Sequence, residues 1–378
     1  METLPFLKPQ TLKAGARVLI RLDLNVPTQN GKITDTFRIE QAIRTLEILQ
    51  KKKVKTIVLT HLGDAHESVG GVVKILSKKL KNISFVPYVI GDRALHAVDS
   101  MKAGEILVLE NLRSQGGEEE SAPSFARALA RFGDIFVQDG FSVSHRRHAS
   151  VVGLPTFLPS VLGPEFQEEL RGLQSALTPK QPSVLILGGA KFSTKLPLLK
   201  KYLKTTDTII LGGALAHNVL KARGVDVGMS LVDTSVPVPT TITKAANIIV
   251  PIDALTEAGE VVDIRHVGMR DKIVDIGPAT LAPIAEKIKN AKTVIMNGPL
   301  GLYEEGYVGG TKAVLKHLAV LKGETIVGGG DTVALVRQLK LDKKIDFIST
   351  GGGAMLDYLT NGTLPGIDAV KKSASQKK

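Results

Sequence analysis

Short runs rich in β-branched residues recur along this chain at 18–22, 56–60, 106–109, 135–137, 184–187, 208–211, 293–296, 325–327 and 347–349, and stretches with helical spacing separate them. A run that is apolar at every position must be covered on both faces, and helical crossovers do this, so the alternation predicts parallel α/β units. The clearest helix is expected from 38 to about 51. There Ile39, Ala42, Ile43, Leu46 and Leu49 fall on one face, with Arg38 in the first turn. A second helix, at 124–132, is expected to end at Gly133 and lead into the strand before Asp139.

At 378 residues the chain exceeds the size at which single cores stop growing, so two domains are expected. Pro155, Pro159, Pro164, Pro179 and Pro182 bracket one amphipathic stretch at 165–177, with Pro164 placed to be the first helical residue. That stretch reads as a connector helix at 161–180 between domains at 1–160 and 181–360. The polar tail with its Lys371–Lys372 and Lys377–Lys378 pairs reads as a solvated, disordered end.

The two halves differ in chemistry. In the second, glycine clusters follow the predicted strands: Gly188-Gly189, Gly212-Gly213, Asn297-Gly298, Gly328-Gly329-Gly330-Asp331-Thr332 and Gly351-Gly352-Gly353. Amides exposed by glycines at the carboxyl ends of parallel strands suit a polyphosphate. Lys191 and Lys195 are spaced to face one anion at a helix start, and Asp331 beside exposed amides suits Mg²⁺ with its phosphates. The alternative for Asp331 is a helix N-cap. The first half instead groups Asp23, Asn25, Arg38, His61, Asn111, Arg113 and the run His145-Arg146-Arg147-His148. Guanidinium forks suit a compact anion held bidentately. His145 and His148 lack the partner spacing of a zinc site, so the group reads as an anion pocket with histidine donors.

Neither GxxxxGK[ST] nor GxGxxG occurs, which disfavours P-loop and dinucleotide folds. The net charge of +12 fits nucleic acid or polyanionic metabolites. Only 4% aromatics, no Trp and dispersed lysines argue against nucleic acid. Without cysteine there is no disulfide framework or thiolate metal site. The start METLPFLKPQ lacks a secretory pattern and no apolar run reaches about 20 residues, so a soluble, cytoplasmic protein off the membrane is expected.

Taken in order, RLDLNVP at 21–27, HLG at 61–63, ENLR at 110–113, HRRHAS at 145–150, GGAK at 188–191, NGPLGLYE at 297–304, GGGDT at 328–332, STGGGA at 349–354 and LPGIDA at 364–369 resemble phosphoglycerate kinase, from about Arg21 to Ala369. The resemblance implies two Rossmann-like three-layer domains with mainly parallel sheets, joined by the connector helix. It implies reversible phosphoryl transfer between 1,3-bisphosphoglycerate and MgADP to give 3-phosphoglycerate and MgATP, by in-line displacement in a closing cleft, a step of glycolysis and gluconeogenesis. Asp23, Asn25, Arg38, His61, Arg113 and Arg146 would hold the glycerate ligand. Lys191, Lys195, Gly212, Gly213, Asn297, Glu304, Gly329, Gly330, Asp331 and Thr332 would hold ATP or ADP, with Glu304 on the ribose and Asp331 on Mg²⁺. Arg38, Lys191 and Mg²⁺ would stabilise the transferring group, helped by amides near Gly330 and Gly353. The family also suggests a monomer, and a segment 361–378 that returns to the first domain.

Asp64 departs from the family pattern, which usually has Arg after HLG, and Arg147 stands where Ala is common; Arg147 is expected to compensate. Gln138-Asp139-Gly140-Phe141, Ala214 near the adenine site and Met296 are further departures.

Overall fold

The structure is a computed structural model and describes residues 4–29 and 31–375. The chain forms two compact units, one comprising Met1–Leu170 with Thr363–Lys378 and the other Arg171–Gly362.

The first unit is built on six parallel strands in the spatial order Ile83–Val86, Ile106–Leu109, Lys55–Leu59, Arg17–Arg21, Ile135–Gln138 and Ser160–Leu162. Alternating side chains of the central strand feed two cores. Val18 and Ile20 pack with Ile39, Leu46 and Leu49 of the helix Phe37–Lys51, whereas Leu19 packs with Val98 and Leu129 beneath Asp92–Asp99 and Pro123–Ala130. Helices therefore cover both faces of the sheet. Each such buried aliphatic contributes roughly 1.5–3 kcal/mol. Thr45 on the same helix is buried too, because its hydroxyl donates to Asp139 Oδ2 at 2.7 Å.

Lys371 and Lys372 lie in a helix, Pro365–Ser375, and not in a disordered tail. Ile367 and Val370 are spaced to share a buried face, while Gly366 N donates to Ser144 O at 2.9 Å and Ser373 Oγ to Leu158 O at 2.8 Å. Lys377 and Lys378 lie outside the described residues.

The stretch 165–177 forms two helices, Pro164–Gly172 and Gln174–Leu177, and the division between the compact units falls within the first of them. At Gly172 the Phe347 ring approaches so closely that a Cβ would sit 2.1 Å from it, so the helix can carry only glycine there.

The second unit repeats the plan with six parallel strands in the order Ile248–Ile249, Thr208–Leu211, Ser183–Leu187, Thr293–Asn297, Glu324–Gly328 and Phe347–Ile348. A three-stranded antiparallel sheet, ordered Val261–Asp263, Asp253–Thr256 and Ile273–Ile276, stands beside it. No helix among the described residues is long and apolar enough to cross a membrane.

Candidate functional site

In the first unit the candidate residues collect just past the carboxyl ends of parallel strands, where open α/β sheets place ligands. Asp23 and Asn25 follow Arg17–Arg21, His61 follows Lys55–Leu59, Arg113 follows Ile106–Leu109 and Arg146 follows Ile135–Gln138. Asp23 pairs with Arg38 Nη1 at 3.1 Å and accepts from Asn25 N at 3.0 Å and from Ser142 Oγ. Burial opposes its charge, yet Arg38 and these donors hold its carboxyl below the usual carboxylate range. Asn25 Oδ1 accepts from Gly63 N at 2.8 Å, and its carbonyl accepts from Arg38 Nη1 at 2.6 Å. Two backbone segments are thereby fixed around the arginine.

Beneath this layer lies a residue that sequence reasoning missed. Arg21 is 1% exposed and donates to Ser150 Oγ at 3.1 Å, to Leu22 O and to His61 Nδ1 at 3.1 Å. A guanidinium can only donate, so His61 Nδ1 accepts and the ring proton resides on Nε2. Burial, with Arg21 beside it, pushes the His61 imidazole down to about 2, so it is a neutral donor at physiological pH. Buried Glu118 supports Arg21 through Ser150, accepting from Ser150 N at 2.9 Å and Ser150 Oγ at 2.5 Å. A charged residue ending an otherwise apolar strand was the available signal.

Arg113 donates to the Gly63 carbonyl and pairs with Glu119 at 3.1 Å, while half-buried Arg146 forms no ion pair among the described residues. Burial and nearby Arg113 push the Arg146 guanidinium down. Clustered guanidiniums that depress one another favour an incoming anion.

Asn111 does not belong to this group. Its Nδ2 donates to the carbonyls of Leu62, Asp64 and Glu67 at 2.7 Å each, and its Oδ1 accepts from Arg113 N at 3.1 Å. Its side-chain amide is taken up by the 62–67 loop and by Arg113 N, leaving nothing for a ligand. His148 Nδ1 lies 3.8 Å from Glu118 and so turns inward to the buried carboxylate. Asp64 is exposed and caps a local turn through His66 N at 2.8 Å; Arg147 is also exposed.

In the second unit a cavity of about 430 Å³ opens at the carboxyl edge of the sheet. Four helices begin around it: Phe192–Tyr202, Gly213–Ala222, Gly330–Gln338 and Gly353–Asn361. Their positive dipole ends converge on it and make an anion cradle. Lys191, Lys195, Gly213, Asn297, Glu304, Gly329, Gly330, Asp331 and Gly353 all line it. Gly298, at φ +90°, lies so near Gly188 that a Cβ would sit 2.4 Å from its carbonyl oxygen, so glycine lets these two turns close over the strand ends.

Lys195 is largely enclosed and donates to the Gly188 carbonyl. Burial pulls its ammonium down to about 8, against the opposing pull of Asp331. Asp331 sits in the first turn of its helix, behind an N-cap at Gly329, and so is not the cap itself. Its carboxyl is raised by partial burial and by Glu304, and lowered by Lys195. Gly212 and Thr332 do not line the cavity. A Cβ at Gly212 would meet Leu300 at 2.5 Å, so that glycine serves close packing. Thr332 is buried, its hydroxyl without a hydrogen-bond partner among the described residues.

Two parallel α/β sheets, one edged with guanidiniums and the other with helix N-termini, define a nucleotide-using α/β phosphotransferase. The family model described as phosphoglycerate kinase matches residues 10–362. A phosphoglycerate kinase of Pseudothermotoga lettingae is 40% identical, covering 93% of this chain and 95% of its own. One of Chelativorans sp. is also 40% identical, over 95% and 97%. The solved phosphoglycerate kinase of Coxiella burnetii superposes with a TM-score of 0.80 at 32% identity, covering 97% of this chain and 99% of its own. That of Pyrococcus horikoshii OT3 gives 0.85 at 26%, covering 96% and 98%. The chain belongs to the phosphoglycerate kinase family.

Proposed function

We propose that this chain transfers a phosphoryl group reversibly between 1,3-bisphosphoglycerate and MgADP, giving 3-phosphoglycerate and MgATP. The observation that carries this reading is the guanidinium cluster of Arg21, Arg38, Arg113 and Arg146 around neutral His61, a site for a small phosphorylated acid in a chain that also holds a polyphosphate cradle.

Asp23, Asn25, Arg38, His61, Arg113 and Arg146 bind the glycerate ligand, with His61 donating from Nε2. Lys191, Lys195, Asn297, Glu304 and the 329–331 segment bind the nucleotide, and Gly213 shapes its floor. In the ATP-consuming direction the acceptor is a carboxylate, ionised at neutral pH, so no general base is required. Arg38 and Lys191 neutralise charge on the transferring group, and the amides of Gly330 and Gly353 help to fix it in line. The donor set also fits Mg²⁺, which prefers one or two carboxylates plus substrate oxygens. Asp331 supplies such a carboxylate at the cavity wall, and no group of three or more potential ligands that could hold a metal alone occurs among the described residues. When bound, Mg²⁺ supplies neutralising charge to the nucleotide phosphates. The protein acts as a cytoplasmic monomer.

Initial rates of ADP formation test the proposal. Turnover should require 3-phosphoglycerate and saturate with it; ATP loss at the same rate without that acceptor would contradict it.

A further inference from the structure

We propose that His217 reads the six-position of the purine, its Nε2 accepting a hydrogen bond from the exocyclic amino group of adenine. His217 lies four residues beyond Gly213 on the helix Gly213–Ala222 and lines the same cavity. With phosphates at the helix N-termini, the base extends toward the wall formed by Leu231, Pro251, Ile264 and Ile273. Apolar walls of this kind bind a purine but discriminate weakly between purine edges.

His217 is 6% exposed, and its Nδ1 is 2.9 Å from Leu231 O. A carbonyl only accepts, so Nδ1 carries the proton and Nε2 the lone pair. Burial disfavours the imidazolium and pushes its pKa down, which keeps Nε2 an acceptor. Nε2 has no protein hydrogen-bond partner among the described residues, and it is not sealed away from solvent. An acceptor so enclosed gains from a ligand donor. The other charged side chains on this wall are engaged: Asp275 accepts from Gly310 N and Ile276 N, and Lys272 pairs with Glu257 and Glu305. Adenine offers an N–H where hypoxanthine offers an oxygen, which would face the Nε2 lone pair.

This inference rests on the cavity being the nucleotide site, and a binding experiment separates it from the proposed reaction. Calorimetry at pH 8 with Mg²⁺ would compare ADP, purine riboside 5′-diphosphate, which lacks the amino group, and IDP. Wild-type protein should bind ADP about tenfold more tightly than purine riboside diphosphate, and IDP more weakly still. His217→Phe, which keeps a ring but no acceptor, should bind all three within about twofold of one another. Equal affinities in the wild type, or full discrimination in His217→Phe, would overturn the assignment. Should the variant fail to fold, the wild-type series alone decides. Discrimination without 3-phosphoglycerate-dependent turnover would leave His217 assigned and remove the proposed reaction, whereas no ADP binding would overturn the assignment and the nucleotide site together.

Discussion

Replacing Arg21 with Met should destabilise the protein far more than a surface change would, because it strands a buried carboxylate. Arg21 and Glu118 are each 1% exposed and are linked through Ser150. Glu118 is the leading charge that favours the Arg21 guanidinium against burial. Breaking a buried pair by removing one partner costs about 3–5 kcal/mol, a large share of a total stability of about 5–15 kcal/mol. Glu118→Gln should cost less, roughly 1–3 kcal/mol, because Asp23 also favours the Arg21 charge. In the double variant no buried charge of the pair remains, so its loss should fall short of the sum by about 2 kcal/mol. Urea unfolding of the four proteins, followed by circular dichroism, gives this coupling. The same Arg21→Met protein should show a raised KM for 3-phosphoglycerate, since His61 Nδ1 loses the donor that fixes its tautomer. Additivity within about 0.5 kcal/mol, or a loss under about 1 kcal/mol for Arg21→Met, would refute the reasoning.

Arg38→Ala should lower kcat about 10³-fold, in the range of transition-state arginines, while the ADP Kd by calorimetry stays within about twofold. Lys195→Met should weaken ADP binding by roughly 10- to 100-fold, the worth of a charge-assisted contact, and unchanged calorimetry would make Lys195 a structural residue. Asp139 is buried, and burial pushes its carboxyl up to about 6 from 3.8, so the folded chain keeps a proton that the unfolded chain has released between those values. Stability of the wild type relative to Asp139→Asn should therefore fall as pH rises through that window, by about 3 kcal/mol in all; parallel stability curves from urea titrations at pH 3.5, 5 and 7 would contradict this.

The central strands were legible because they are buried on both faces: 106–109 is apolar throughout and 208–211 is apolar after a β-branched Thr208, and the structure reproduces the ends of both. The edges were not. Ile83–Val86 has only one buried residue in four, Val86, and Ser160–Leu162 is three residues long between Pro159 and Pro164. Asp253–Thr256, DALT, carries its capping aspartate inside the strand, where Oδ1 accepts from Thr280 N at 2.8 Å, and such a mixed run has no strand signature. At the sites, glycines after strands marked the cradle, yet residue type could not separate Gly212, which packs on Leu300, from Gly213, which lines the cavity. Asn111 is the same case: an amide that builds a loop and one that binds a ligand are identical in sequence. Arg21 stands out only as a charge ending an apolar strand, and its meeting with Ser150 and Glu118 is made by the fold, which no local pattern announces.

Direct transfer between two bound ligands is tested most closely by its stereochemistry. With ATP made chiral at the γ-phosphorus and 3-phosphoglycerate as acceptor, a single in-line displacement predicts inversion of configuration in the acyl phosphate product. Retention, which requires a second displacement through a phosphorylated side chain, would contradict the account.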